Sequence, residues 1–98
     1  MRQHYLVSYD VCDPARLRRV HRTVRDFGRS LQYSVFTCHL SPIGLATLEA
    51  RLREVICTTS DRILFVRLGD SVTGGELPPR CRTIGRPLSK PRPKTMIA

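Results

Sequence analysis

The sequence predicts an α+β fold in which two helices cover one face of a four-stranded antiparallel sheet. The chain has 98 residues, which suits one domain with one core. Short runs of strand-forming residues alternate with two stretches of helical period. Both helical stretches begin with a capping residue followed by proline, at Asp13-Pro14 and Ser41-Pro42. The expected order is therefore strand, helix, strand, strand, helix, strand.

The first half of the chain predicts a strand, a helix and further strand structure. The run Tyr5–Asp10 is short and mostly apolar, which is typical of an interior strand. From Pro14, apolar side chains recur at helical spacing, and Gly28 suits the end of this helix. These apolar residues are Leu17, Val20, Val24 and Phe27. Residues 31–40, LQYSVFTCHL, are long enough for two short strands or for one strand with a bulge.

The second half predicts another helix and strand, followed by an additional strand. The second helix starts at Pro42, and its apolar stripe contains Leu45, Leu48, Leu52, Val55 and Ile56. The run Arg62–Leu68 has four consecutive apolar residues, which predicts a strand buried on both faces. This order is the ferredoxin-like split βαβ plan, βαββαβ. A further C-terminal strand at Arg80–Gly85 exceeds that plan, so we expect it to pair across a homodimer.

The domain prediction follows from a change in composition after Gly85. Residues 1–85 are expected to form the ferredoxin-like domain. Residues 86–98 contain basic residues and proline but no acid, which predicts a flexible tail.

The charge of the chain indicates a polyanionic partner. The chain contains seventeen Lys and Arg residues and eight Asp and Glu residues, which gives a formal net charge of +9. Nucleic acid is the first candidate for the partner. The excess is concentrated on the first predicted helix, where Asp26 stands against five arginines. We expect RNA or DNA phosphates to contact Arg16, Arg18, Arg19 and Arg22, although some of these side chains could simply be solvated.

Several function classes are disfavoured. The start MRQHYLVSYD has no long apolar core and no segment approaches the length of a membrane span, so we expect a cytoplasmic protein without membrane contact. The four cysteines form no Cys-x-x-Cys pair, which disfavours structural zinc and suggests small buried residues. The aromatic strand motif of an RNA-recognition module is missing.

The candidate site centres on Asp10, at the exit of the first strand. An acid there is most often a turn residue that accepts backbone hydrogen bonds, and the alternative is a metal ligand. Asp13 is better explained as the helix cap. Tyr9 and Phe36 are at least as well explained by core packing as by catalysis.

A combination of motifs decides between these alternatives. YDVCD at Tyr9–Asp13 precedes a helix with Arg16 and Arg19 that ends in Phe-Gly, and QYSVF follows at Gln32–Phe36. At this spacing the sequence resembles the CRISPR-associated endoribonuclease two family, roughly over Tyr5–Gly85.

The resemblance implies a homodimer and a metal-dependent endonuclease. Asp10 would meet its counterpart across the two-fold axis and bind Mg²⁺, with Mn²⁺ as an alternative. The family implies catalytic roles for Asp10, Tyr9, Arg19 and Phe36, and cleavage of single-stranded RNA or double-stranded DNA.

The resemblance also implies a place in CRISPR spacer acquisition. Family members bridge two dimers of the integrase, CRISPR-associated protein one, in an assembly of the heterohexamer type. The alternative function is therefore a non-catalytic, DNA-binding dimeric scaffold of that integrase.

Overall fold

The computed structural model describes residues 2–70 and Ile84, and it confirms the predicted βαββαβ order. The elements are β1 (Gln3–Asp10), α1 (Pro14–Arg25), β2 (Gly28–Gln32), β3 (Val35–Leu40), α2 (Pro42–Val55) and β4 (Arg62–Asp70). The four strands form one antiparallel sheet in the order β2-β3-β1-β4. Apart from Ile84, the predicted strand Arg80–Gly85 and the predicted tail 86–98 lie outside the described residues.

Both helices begin where the capping pattern predicts. The Asp13 carboxylate accepts a hydrogen bond from the backbone amide of Arg16 at 2.9 Å. The Ser41 hydroxyl oxygen accepts one from the amide of Gly44 at 3.1 Å. Each side chain thereby satisfies an amide that has no partner inside its own helix, which fixes the first turn.

Gly28 does not end the first helix, contrary to the prediction. The helix ends at Arg25 with Asp26 as its C-cap, and Gly28 is the first residue of β2. A Cβ atom at Gly28 would overlap the carbonyl oxygen of Thr37 and the sulfur of Cys38. The glycine is therefore required by the close approach of β2 to β3.

Residues 31–40 contribute to two strands, which confirms one of the two alternatives. The chain turns at Tyr33 and Ser34, and β2 starts earlier than this segment, at Gly28. The β2–β3 register shifts between Ser30 and Gln32, so a local irregularity accompanies the turn.

One core lies between the helices and the sheet. Its buried apolar residues are Val7, Tyr9 and Val11, Val20 and Val24 of α1, Phe36, Cys38 and Leu40 of β3, and Leu48 and Leu52 of α2. The apolar stripes of both predicted helices contribute to it, which is the expected result of amphipathic packing.

The opposite face of the sheet is only partly covered in the single chain, and β4 shows this most clearly. Ile63 and Phe65 pack against the core, whereas Leu64 is 53% and Val66 37% exposed. The prediction that this strand is buried on both faces is therefore wrong for the single chain. The physical reason is that the two described helices both contribute to the core on the other face of the sheet.

Candidate active site at the end of the first strand

Asp10 is the last residue of β1, and its side chain is exposed. Side chains alternate between the faces of a strand, and the neighbouring Tyr9 is buried in the core. Asp10 therefore belongs to the opposite face, which we call the open face. Along β1 and β4 this face carries the cross-strand pairs Leu6 and Val66, Ser8 and Leu64, and Asp10 and Arg62.

Arg62 is a neighbour of Asp10 that was not predicted from the sequence. It is the first residue of β4, it is exposed, and it is the cross-strand partner of Asp10. Within the described part of the chain the two side chains form no ion pair. Each is thus available to a ligand, the carboxylate to a cation and the guanidinium to a phosphate. Antiparallel pairing of the first and fourth strands could have revealed this neighbour, since it places the exit of one strand beside the entry of the other.

The Asp10 carboxylate accepts no hydrogen bond from any residue in the described ranges, 2–70 and 84. A turn role of the usual kind would require one from a nearby backbone amide. The side chain is thus accessible and has no partner in the described part of the chain, which suits a ligand of a hydrated cation.

Tyr9 and Phe36 lie beneath the site in the core. Tyr9 is 6% and Phe36 1% exposed. The Tyr9 hydroxyl hydrogen-bonds Nδ1 of His21 at 2.8 Å, and the His21 ring meets Phe36 edge-on, with centroids 5.2 Å apart. Burial raises the pKa of Tyr9, so its hydroxyl remains protonated near neutral pH. These contacts are those of core residues, and the catalytic roles of Tyr9 and Phe36 stay predictions.

His21 was not singled out from the sequence, although its spacing gave a signal. It follows Leu17 by four residues and precedes Val24 by three, so it falls on the apolar stripe of α1. Burial, followed by the nearby Arg25 charge, lowers the pKa of His21. The ring is consequently a neutral partner for the Tyr9 hydroxyl at pH 7.

Three of the predicted nucleic-acid contacts share one side of α1. Arg18, Arg19 and Arg22 are all exposed, and their spacing places them near one another on the helix surface. We call these three residues the arginine face. Among the residues that the structure describes, none of the three has a carboxylate within ion-pair distance. They are cations without a described partner, and their contact with nucleic acid stays a prediction.

Arg16 differs from the arginine face because Asp61 engages it. Nε of Arg16 lies 2.8 Å from Oδ2 of Asp61, and Nη2 lies 3.3 Å from Oδ1. The Asp61 carboxylate, whose side chain is fully buried, also accepts the backbone amides of Cys12 and Cys57. We call this group of four residues the Asp61 junction. It joins the turn after β1, the first turn of α1 and the loop before β4.

The Asp61 junction was not predicted from the sequence. The polar turn TTSD was the only local signal, and nothing in it identifies a partner forty-five positions away. The hydrogen bond from Arg16, followed by that from the Cys57 amide, holds the pKa of Asp61 well below its usual range. Asp61 is therefore ionised at every pH at which the protein is expected to work.

A second copy of the chain would complete a site for a divalent cation at Asp10. Within residues 2–70 and 84, no three His, Cys, Asp or Glu side chains are grouped as a metal site would require. Magnesium nevertheless prefers oxygen ligands, keeps several waters and often takes only one or two carboxylates. Two Asp10 side chains from two copies would supply a donor set of that kind.

Comparison with known proteins identifies the family. The family model for CRISPR associated protein Cas2 matches residues 2–74. The chain belongs to the Cas2 family. This confirms the resemblance found in the sequence.

Curated Cas2 relatives cover most of the chain. It is 35% identical over 86 residues to the CRISPR-associated endoribonuclease Cas2 of Geobacter sulfurreducens, a match that covers 88% of this chain and 87% of the relative. It is 41% identical over 69 residues to the protein of the same name from Nitratidesulfovibrio vulgaris, which covers 65% of this chain and 68% of that one.

Solved Cas2 structures share the fold. The crystal structure of Streptococcus pyogenes Cas2 superposes with a TM-score of 0.66 and 33% identity, covering 84% of this chain and 99% of that one. Another Cas2 crystal structure gives a TM-score of 0.69 at 28% identity, covering 88% and 90%. These matches confirm the ferredoxin-like fold. Within the described residues of the present chain, neither helix has the length and apolar character needed to span a bilayer.

Proposed function

We propose that this Cas2 family member is a cytoplasmic CRISPR adaptation protein whose homodimer is a metal-dependent endonuclease, with single-stranded RNA as the first substrate and double-stranded DNA as the second. The observation that carries the proposal is the Asp10 carboxylate, which is exposed, free of described hydrogen bonds and placed beside Arg62. The curated relatives are named endoribonucleases, which supports RNA as substrate.

The residues of this chain would have three different roles at the site. The carboxylates of two Asp10 residues would hold Mg²⁺, or Mn²⁺ in its place. A divalent cation, when bound, neutralises charge on the phosphate and lowers the pKa of water. Arg62 and Arg19 would attract and orient the phosphodiester backbone. Tyr9 and Phe36 would support the Asp10 backbone from the core, since neither offers a proton-transfer group near pH 7.

The experiment is a cleavage assay with labelled single-stranded RNA and duplex DNA. Wild type and Asp10→Asn are each assayed with Mg²⁺, with Mn²⁺ and with chelator. Asn keeps the size of the side chain but removes its charge, so we expect wild type to cut only with metal and the variant to lose at least 100-fold in rate. Asp26→Asn is the matched control, because it makes the same change at an exposed carboxylate paired with Arg51.

The proposal fails if wild type does not cut, or if Asp10→Asn cuts as fast as wild type. Size-exclusion chromatography with light scattering shows whether both proteins are dimers. A monomeric wild type would contradict the shared Asp10 site directly.

The second candidate function is a DNA-binding scaffold that organises the integrase, CRISPR-associated protein one, without chemistry of its own. The arginine face favours it, because three exposed guanidinium groups without described partners suit the phosphates of a duplex. This candidate predicts that Asp10→Asn leaves duplex binding and integrase binding unchanged. Both candidates place the protein with nucleic acid in CRISPR adaptation.

A further inference from the structure

We propose that Asp61 is a positioning residue for the Asp10 site, because its buried carboxylate fixes the turn that follows Asp10. The consequence for metal binding rests on the proposed function, whereas the effect on the turn does not. Asp61 lies fifty-one positions after Asp10 in the sequence and belongs to the loop before β4.

The hydrogen bonds of Asp61 use both of its oxygens. Oδ1 accepts the Cys12 amide at 3.1 Å and Nη2 of Arg16 at 3.3 Å. Oδ2 accepts Nε of Arg16 at 2.8 Å and the Cys57 amide at 2.9 Å. The Ser60 hydroxyl also donates to Oδ1, at 3.5 Å. A carboxylate has about four lone-pair sites, so its acceptor capacity is fully used. The side chain is held in one orientation by three separate segments of the chain.

The connection to Asp10 runs through the backbone. Asp10 is the cross-strand partner of Arg62, the first residue of β4, and Asp61 immediately precedes Arg62. Two positions beyond Asp10, the Cys12 amide donates to Asp61, and the Cys12 thiol donates to the Ser60 carbonyl oxygen at 3.1 Å. Asp61 thus extends the pairing of β1 with β4 past the last pair of strand residues. It limits the directions that the Asp10 side chain can take.

Charge makes this arrangement sensitive to loss of the Asp61 carboxylate. Arg16 neutralises the buried carboxylate, which would otherwise be costly to bury. An amide at the same place would turn its NH₂ group towards backbone and guanidinium donors, and at least one donor would lose its acceptor. Asp61→Asn therefore leaves the Cys12 amide, the Arg16 guanidinium or both without an acceptor.

The experiment measures the turn and the metal site separately by NMR. Amide hydrogen exchange and ¹⁵N relaxation are recorded for wild type, Asp61→Asn and the control Asp26→Asn, and Mn²⁺ broadening of the Asp10 signals is titrated. In Asp61→Asn we expect the Cys12 amide to exchange at least tenfold faster and Asp10 to become more mobile. The Mn²⁺ concentration needed for half-maximal broadening rises several-fold, and the central β4 amide of Val66 keeps its protection. Asp26→Asn changes none of these values.

The inference is overturned if the Asp10 and Cys12 amides of Asp61→Asn exchange at the wild-type rates and both residues are as ordered as in wild type. Absence of Mn²⁺ broadening in wild type would instead count against the proposed metal site, while the exchange data still decide the role of Asp61. If Asp61→Asn does not fold, Arg16→Lys takes its place, because lysine keeps the charge but cannot donate as a planar fork. We then expect a smaller release of the same Cys12 amide, and an unchanged amide overturns the inference.

Discussion

The Tyr9 hydroxyl and Nδ1 of His21 lie 2.8 Å apart, so a buried hydrogen bond joins the end of β1 to α1. The same hydroxyl lies 3.5 Å from the Tyr33 carbonyl oxygen, and the Ser34 carbonyl oxygen accepts the Tyr9 amide at 3.3 Å. Tyr9 is thereby connected to both the helix and the β2–β3 turn. The residue next to Asp10 is consequently held by both its side chain and its backbone amide.

Tyr9→Phe is expected to destabilise the fold by about 1–3 kcal/mol, because it leaves Nδ1 of His21 buried without its partner. Urea unfolding should show a lower midpoint, while the slope of the unfolding free energy against urea concentration is unchanged. Tyr5→Phe is the matched control, since Tyr5 lies on the same strand and its hydroxyl has no hydrogen bond to a described residue. A loss for Tyr9→Phe no larger than that for Tyr5→Phe would contradict a stabilising role for the Tyr9–His21 bond.

The acid sensitivity of the fold should depend on Asp61. Its pKa in the folded chain is lowered from an ordinary value of 3.8, so Asp61 contributes stability that is fully present above that value. As the pH falls below it, the unfolded chain binds a proton that the folded chain does not, and stability is lost. We therefore expect the urea midpoint of wild type to fall more steeply between pH 4 and pH 2 than that of Asp61→Asn.

The exposed carboxylate of Asp26 provides the comparison for this pH dependence. Its ion pair with Arg51 is half exposed on both sides, and such pairs contribute little. Asp26→Asn should keep the wild-type steepness. Equal steepness for Asp61→Asn and wild type would show that Asp61 does not carry the effect.

The features that could be predicted from sequence are those determined by neighbouring residues. Asp13 and Ser41 cap helices through amides three positions away, so the residues responsible are adjacent in the sequence. The apolar stripe of α1 follows from helical period alone. The motifs around Asp10 identified the family because their spacing is specific, although the roles of the individual site residues stay predictions.

The features that could not be predicted depend on which strands pair. Whether Leu64 and Val66 are buried depends on which face of the sheet the two helices cover, which the sequence of β4 does not encode. Arg62 becomes a neighbour of Asp10 only through the β1–β4 register. Arg16 was assigned to phosphate binding because α1 is basic, whereas its described partner, Asp61, comes from a distant loop.

His4 is a buried polar side chain whose removal should stabilise the protein. It is 5% exposed, neither ring nitrogen has a hydrogen-bond partner among the described residues, and the ring stacks on His39 with centroids 5.2 Å apart. Burial, followed by the His39 and Arg29 charges, lowers the pKa of His4. Below pH 6.5 the unfolded chain therefore binds a proton more readily than the folded one, and stability falls.

His4→Phe removes the unsatisfied nitrogens and keeps an aromatic ring for the stack. We expect it to be more stable by roughly 1 kcal/mol at pH 7 and by more at pH 5.5, measured by urea unfolding at both values. A variant that is less stable than wild type at both pH values would mean that the His4 nitrogens have a stabilising partner.

The cysteines should differ widely in reactivity. The sequence suggested that all four are small buried residues, and the described ones show that this is wrong for two of them. Cys38 is buried, but Cys12 is exposed and Cys57 partly exposed. Hydrogen bonds from Ser60, then Thr59, lower the pKa of Cys57 to about 7, whereas burial raises that of Cys38 to about 12.

Alkylation at pH 7 should therefore modify Cys57 at least 100-fold faster than Cys38, because the thiolate is the reacting form. Iodoacetamide labelling followed by peptide mass spectrometry measures both rates. Ser60→Ala removes the hydroxyl that contributes most to the lowered pKa and should slow Cys57 several-fold, while the control Thr58→Ala changes an exposed neighbour and should not. Equal slowing by both changes would mean that the Ser60 hydroxyl does not activate the thiol.

The arginine face should bind duplex DNA through phosphates. The salt dependence of the affinity should then reflect the number of phosphate contacts. Each phosphate contact contributes about 0.9 to the slope of log affinity against log salt concentration. We expect Arg19→Gln to weaken binding at low salt and to reduce that slope by about one. Arg53→Gln is the matched control, since Arg53 is also exposed but lies on α2. Equal slopes for the two variants would show that the charge of the whole protein, rather than the arginine face of α1, determines binding, and would remove the observation that favours the scaffold.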